Sequence, residues 1–333
     1  MHYSLAPSGE HIIMPAPLPA HRRAVAFETF GSPEVLRVLE VPLHQPQAGE
    51  VLVQVQAATV NPTDLLMLGG SQAARMRDLV PPYIAGMEIA GKVVAIGEGV
   101  QGLALGQAVI GIVNPRRPQG GAQAQFVCLP AASIAPLPAG SDLIAAATLP
   151  MNGLTAWMCL EFMKLPVGAS LLVTGAAGAV GGFVVALARR AGLHVVADTK
   201  EEDRELLTRL GAHELVPRGD GFATAVRVRY PAGLDGVVDT ALLGDAAAGL
   251  LRTGGAMVSL RGSQDIHRED IRHTHVSVLQ EATNQEALRW LVDRMQDGTL
   301  AVRVGRVLPM AQAAEAYGLV SRGGLRGRVV LTP

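Results

Sequence analysis

The sequence predicts an α/β protein of two domains: an antiparallel, barrel-like β domain and a doubly wound parallel-sheet domain. Three observations carry that prediction. From Ala24 to Pro136 the hydrophobic pattern has period two, as in half-buried strands. From Leu171 to Leu260 short apolar strands alternate with amphipathic helices, which is the signature of a parallel sheet. Where the second pattern begins, Leu171–Gly182 reads LLVTGAAGAVGG, a strand running into a turn of very small residues.

That turn opens a helix. Val180, Phe183, Val184, Leu187, Ala188 and Ala191 fall at helical spacing along one face. Small residues let a ligand approach the backbone, and unpaired amides at the positive end of the helix dipole favour a phosphate. Ala176, Gly178 and Gly181 occupy the three places of the dinucleotide fingerprint G-x-G-x-x-G, with alanine in the first. A second strand, His194–Asp198, ends in an acid about 20 residues beyond the turn, where a ribose hydroxyl would be met. The βαβ context separates this turn from a bare glycine pattern and points to a dinucleotide. A methyltransferase is the other common owner of such a turn, and the rest of the chain argues against it.

The 333 residues, 49% hydrophobic and 17% charged, suffice for a large core and two domains. A net charge of −1 and a pI near 6.8 give no general attraction to nucleic acid or to an anionic membrane, so small molecules are the expected partners. No apolar run approaches the ~20 residues that span a bilayer, and no secretory signal pattern opens the chain, so a cytoplasmic location is expected. Cys128 and Cys159, each flanked by apolar residues, are too few for a disulfide framework or a structural zinc site.

In chain order, residues 1–22 are rich in proline and histidine and read as a loose leader. Strands are expected at Val35–Val41, at the alternating run around Val51, Val53 and Val55, and at Ile89–Ile96, Ala108–Val113 and Gln123–Leu129. Gly31-Ser32-Pro33, Gly97-Glu98-Gly99 and Gly120-Gly121 supply turns between them. A helical stretch, Ala145–Leu165, leads into the glycine-rich turn. Helices then follow at Glu201–Leu210, Phe222–Arg229 and Asp245–Leu251, with strands at Glu214–Val216, Gly236–Asp239 and Ala256–Leu260. A last helix is marked by Leu288, Leu291, Val292 and Met295, and a closing strand by Arg328–Leu331.

The order of parts and several local motifs resemble the medium-chain dehydrogenase/reductase superfamily, in its zinc-independent quinone oxidoreductase (zeta-crystallin-like) branch. The resemblance covers about residues 23–333. It rests on Val60-Asn61-Pro62-Thr63-Asp64, Gly86-Met87-Glu88-Ile89-Ala90-Gly91, Gly153-Leu154-Thr155-Ala156, the AAGAVG turn, Gly298-Thr299-Leu300 and Gly327-Arg328-Val329-Val330-Leu331. It implies a GroES-like β-barrel catalytic domain from 23–150 and 276–333, and a Rossmann dinucleotide-binding domain from 151–275. It also implies a cleft shared by cofactor and substrate, and a homodimer formed through strand edges, for which Ile271–Val278 is the candidate.

The zinc-dependent branch is similar in outline, but its ligands are missing. Asn61 stands where that branch has its first cysteine, Met87 where it has histidine, and Met151 or Asn152 near the last ligand. No zinc is therefore expected. His273 and His275 would share one face of a strand and read more simply as a polar edge than as a metal site. Without zinc, the accessible chemistry is hydride delivery from reduced nicotinamide to a quinone or an α,β-unsaturated carbonyl, with the cofactor doing the hard step. The protein must position the acceptor and donate to the oxygen that becomes negative. Asn61 and Thr155, which match positions that in the family face the nicotinamide and the substrate pocket, are the candidate catalytic donors to that oxygen, and Asp64, grouped with them, is read as bracing the loop rather than moving a proton. Relatives that carry a tyrosine two residues after the position of Asp64 have Leu66 here, which leaves the proton donor open, with water the simplest source. Leu66, Met67 and Leu68 suggest an apolar acceptor. The competing readings are a zinc-type alcohol dehydrogenase-like enzyme and a nucleotide-binding protein without turnover.

The cofactor-contacting set implied by the turn and the resemblance is Ala176, Gly178, Ala179, Val180, Gly181, Asp198, Thr199, Lys200, Arg204, Leu260 and Arg322. Its signals conflict. Asp198 favours NADH, because a strand-end carboxylate accepts from ribose hydroxyls and repels a 2′-phosphate. Lys200, Arg204 and Arg322 favour NADPH. Three cations against one carboxylate weigh toward NADPH, with NADH possible.

Overall fold

The structure, a computed structural model, describes residues 17–260 and 266–333. Most of the leader expected at 1–22 lies outside the described residues. Leu18 packs against Leu52 and Cys128, and the first strand begins at His21. The chain forms two compact units. The first runs to Ala147 and adds Val307–Ser321 and Val330–Pro333; the second takes Thr148–Arg306 and Arg322–Val329.

The first unit carries β1 (His21–Phe27), β2 (Arg37–Pro42), β3 (Glu50–Val60), α1 (Pro62–Leu68), β4 (Tyr83–Ile84), β5 (Glu88–Ile96), β6 (Ala108–Ile112), β7 (Phe126–Pro130), β8 (Ile134–Pro136) and α2 (Leu143–Ala146). A small antiparallel sheet has the order β2-β1-β4; the larger one continues β3-β5-β6-β8, with β7 also paired to β3. The period-two pattern explains the core. Val51, Val53 and Val55 all bury in one cluster, while Gln54 and Gln56 stay exposed. Leu52 points the other way and finds separate cover with Ala95 and Cys128. Gly91 is required where β5 crosses β3, because a Cβ there would lie 2.2 Å from the Gln54 carbonyl oxygen. Arg22, only 3% exposed, donates to the Phe126 and Gln119 carbonyls, and burial lowers its pKa to about 10.

The second unit holds α3 (Pro150–Met163), β9 (Ser170–Thr174), α4 (Ala179–Arg190), β10 (His194–Thr199), α5 (Arg204–Leu210), β11 (Glu214–Pro217), α6 (Phe222–Arg229), β12 (Leu234–Asp239), α7 (Asp245–Ala248), β13 (Leu251–Leu260), β14 (Arg272–Val276) and α8 (Gln285–Gln296). Its six-stranded sheet is parallel throughout, in the order β11-β10-β9-β12-β13-β14. This is the doubly wound sheet that the alternation predicts. β14 ends the sheet and pairs only with β13 among the described residues. The last elements are β15 (Val304–Pro309), α9 (Ala313–Arg322) and β16 (Arg328–Thr332). No described helix is long and apolar enough to cross a membrane.

Several boundaries differ from the sequence reading. The predicted helix 145–165 is two helices, because Pro150 cannot continue α2 but suits the first turn of α3. The predicted helix 245–251 stops at Ala248; Gly249 ends it and Leu251 turns inward to start β13. Helix 201–210 opens with a tight turn at Glu201–Asp203 before α5. The larger difference concerns residues 276–306, expected with the barrel domain and found in the second unit. α8 explains it: Leu288 and Leu291 are fully buried, and a Cβ on Gly153 of α3 would lie 3.1 Å from Leu291, so the two helices are in close contact. Leu291→Ala is therefore expected to destabilise the second unit by about 2–5 kcal/mol, read as a lower midpoint in denaturant unfolding. An unchanged midpoint would show that α8 contributes nothing to it.

Candidate active site

In the second unit the chain leaves β9 through Gly175, whose φ is +62° and whose Cβ, if present, would lie 2.3 Å from the Thr240 hydroxyl. Ala176 and Ala177 are buried, while Gly178, Ala179 and Val180 are half-buried. No side chain caps α4. A Cβ on Gly181 would sit 2.4 Å from the Gly175 carbonyl oxygen, and one on Gly178 would sit 2.9 Å from the same atom. These glycines let the helix start pack against the strand end, leaving a helix N-terminus suited to a pyrophosphate. The turn fits a dinucleotide.

Charged side chains hold the turn from two sides. On one, Asp198 accepts the Ala176 amide at 2.9 Å. On the other, Arg303 donates to the Ala177 carbonyl at 3.2 Å and the Gly178 carbonyl at 2.6 Å. Burial, with Arg326 nearby, holds the Arg303 guanidinium below its ordinary pKa. Arg326 itself is paired with Asp203, which is only 2% exposed. Thr174 and Asp239 brace the neighbouring strand ends through a 2.6 Å hydrogen bond.

The other expected cofactor residues fall as follows. Thr199 is buried, its hydroxyl donating to the Lys200 carbonyl at 2.7 Å. Lys200 lies 3.9 Å from Glu202, and Arg204 3.6 Å from Glu201; all four side chains are about half exposed or more, so these pairs contribute little. Leu260 ends β13, half-buried, and Arg322 is exposed at the end of α9. Arg218, Arg303 and Arg326 escape sequence reading. Only Arg218 had a local signal, since it lies two residues beyond the short strand expected at Glu214–Val216.

On α3, Thr155 is 8% exposed and donates its hydroxyl to the Met151 carbonyl at 2.7 Å, which leaves it as an acceptor toward any ligand. One turn before it, Asn152 is 4% exposed, and its Nδ2 makes no hydrogen bond among the described residues. A buried amide without a partner is costly, which marks Asn152 as a donor that sequence reading passed over.

In the first unit, Asn61 precedes α1 and is 1% exposed. Its Nδ2 donates to Thr59 Oγ1 at 3.1 Å and to Glu88 Oε1 at 3.3 Å, and the Thr59 hydroxyl donates to the same carboxylate. Asp64 accepts the Asn61 amide at 2.8 Å, the Gly86 amide at 3.2 Å and Gln123 Nε2 at 3.4 Å. The fully buried Tyr317 donates to Gln123 at 2.8 Å, and burial plus the Asp64 charge push its phenol well above the ordinary range. Asp64 thus accepts from three groups and braces the loop. Of Leu66, Met67 and Leu68, only Leu66 reaches the surface, because helical spacing turns the other two into the core. Tyr83 stacks on Phe30, ring centroids 5.5 Å apart.

A catalytic zinc does not fit these residues. Asn61, Met87 and Met151 or Asn152 offer no thiolate, imidazole or carboxylate, and the Met87 sulfur lies 3.5 Å from the Thr63 hydroxyl, which donates to it. No group of three metal-ligating side chains exists among the described residues. Cys128 and Cys159 are buried apart from this network, and burial pushes both thiols up to about 12. His273 and His275 stand edge to face with ring centroids 4.7 Å apart, and His273 reaches the Ser259 hydroxyl at 3.1 Å.

The fold and these sites define a two-part oxidoreductase class, a GroES-like domain joined to a Rossmann domain. Residues 47–139 match the family model of the alcohol dehydrogenase GroES-like domain, and residues 210–331 that of the zinc-binding dehydrogenases. The chain is 28% identical to a quinone oxidoreductase of Rattus norvegicus, over 93% of this chain and 97% of the relative. It is 27% identical to an NADPH-dependent alkenal/one oxidoreductase of Arabidopsis thaliana, over 98% and 84%. A solved alcohol dehydrogenase superfamily protein from Novosphingobium aromaticivorans superposes with a TM-score of 0.83 at 28% identity, covering 94% of this chain and 99% of that one. This chain belongs to the medium-chain dehydrogenase/reductase superfamily, in its quinone oxidoreductase branch.

Gly181→Ala is expected to weaken dinucleotide binding by about tenfold or more, since its methyl must displace the backbone of the turn. Fluorescence titration with NADPH checks it, and an unchanged Kd would remove the turn from the site.

Proposed function

We propose that this protein is an NADPH-dependent oxidoreductase that reduces a quinone or an α,β-unsaturated carbonyl without zinc. The carrying observation is a dinucleotide turn in a chain whose would-be zinc ligands are Asn61, Met87 and Met151 or Asn152. Relatives named for quinone and NADPH-dependent alkenal/one reduction support the acceptor class and the cofactor. Reduced nicotinamide supplies the hydride when bound.

This chain's residues then bind, orient and stabilise. The N-terminus of α4 receives the pyrophosphate, and Asp198 and Arg303 fix the shape of that receptor. Asp64 and Glu88 set the conformation around Asn61 rather than moving a proton. With the Asn61 amide directed at Thr59 and Glu88, and the Thr155 hydroxyl spent on its own helix, Asn152 is the side chain on α3 with a donor left for an acceptor oxygen. The solvent protonates the reduced carbon or oxygen.

Purified protein should oxidise NADPH in the presence of 1,4-benzoquinones or simple enones, at a rate indifferent to chelators. Failure across a broad panel of both acceptor types, despite nucleotide binding, would sink the proposal. Restoration of activity only by added zinc would sink the metal part alone. Asn152→Leu should lower kcat by roughly tenfold or more while leaving the NADPH Kd unchanged. An unaltered kcat would exclude Asn152 as the donor.

A further inference from the structure

Resting on the NADPH reading above, we propose that Arg218 is the residue that sets nucleotide specificity, by converting Asp198 from an NADH selector into the base of a 2′-phosphate receptor. The geometry around Asp198 is the argument. Its Oδ1 is committed to the Ala176 amide at 2.9 Å. Its Oδ2 accepts from Arg218 Nε at 3.0 Å, and Arg218 Nη2 lies 2.9 Å away in the same ion pair. A strand-end acid recognises a ribose diol by accepting from both hydroxyls, and excludes a 2′-phosphate by charge. Here each oxygen is already engaged within the protein, the side chain is buried, and the guanidinium offsets the charge.

The two side chains differ in exposure in the direction this role requires. The Asp198 side chain is 3% exposed, whereas that of Arg218 is 41% exposed. Arg218 directly follows Pro217, which pairs with Thr199 at the end of β10, and its amide donates to the Thr199 carbonyl at 2.8 Å. The guanidinium is thus fixed beside the strand end on which Asp198 sits, and its Nη1 makes no hydrogen bond among the described residues. A planar fork held by a buried carboxylate is pre-ordered for a phosphate, because little side-chain freedom is lost on binding. Lys200 and Arg204 lack that preparation, being paired only to exposed glutamates.

Calorimetric titration of the full chain with adenosine 2′,5′-bisphosphate and with AMP tests the role without turnover. The wild-type chain should bind the bisphosphate more tightly. Arg218→Leu should weaken the bisphosphate by about tenfold or more and leave AMP equal or tighter, since Asp198 is then released to the ribose. Arg218→Lys, keeping the charge without the fork, should fall between, and thermal melts of both variants verify folding. If the wild type prefers the bisphosphate and Arg218→Leu keeps the same ratio, this inference is overturned while the NADPH reading stands. A wild-type chain with no preference overturns the reading itself.

Discussion

The turn between β9 and α4 depends on a carboxylate that never reaches solvent. Asp198 accepts the amide of Ala176, and this one hydrogen bond ties the end of β10 to the loop leaving β9. Two adjacent parallel strands are thereby locked at the edge where a dinucleotide's phosphates would arrive. Arg303 completes the hold by taking up carbonyls that point the other way. The loop's own residues are too small to fix it, so rigidity has to come from charged neighbours. A rigid receptor loses little entropy when it binds, which is what a helix N-terminus needs to act on a phosphate at modest cost.

The same economy recurs in the first unit. Asp64 and Glu88 are carboxylates at 1% and 0% exposure, and each is surrounded by donors. Burying such groups is tolerable only when their oxygens are satisfied, and the hydrogen bonds that satisfy them dictate the loop around Asn61. Both acids thus hold the backbone and side chains around Asn61 in place. In the second unit, the Asn152 Nδ2 on α3 is among the buried donors that have no hydrogen-bond partner among the described residues.

Legibility followed the range of the interaction. Periodicity disclosed β2, β3, β5, β6, β7, the strands β9 to β13, β16 and the amphipathic faces of α4 and α8, because those patterns repeat within a few residues, whereas β1, β4, β8, β15 and α9 were not expected. The glycine fingerprint was readable for the same reason. Asp198 was legible as an acid at a strand end, but its direction was not, since that depends on the register between β10 and β11 that brings Arg218 alongside. Arg303 and Arg326 could not be seen at all from local pattern. The assignment of α8 to the second unit was hidden likewise, because it rests on a glycine in α3 leaving room for a leucine more than a hundred residues away.

The bonds that secure the turn have a kinetic side. Arg303 meets Ala177 across 126 residues of chain, and Arg326 meets Asp203 across 123. Contacts of such long sequence separation form late, after the intervening loop entropy has been overcome. During synthesis, β9, α4 and β10 leave the ribosome well before the arginines that fasten them. The turn, α4 and Asp198 are thus synthesised together, and the hold that Arg303 adds to the Ala177 and Gly178 carbonyls comes from a segment made much later.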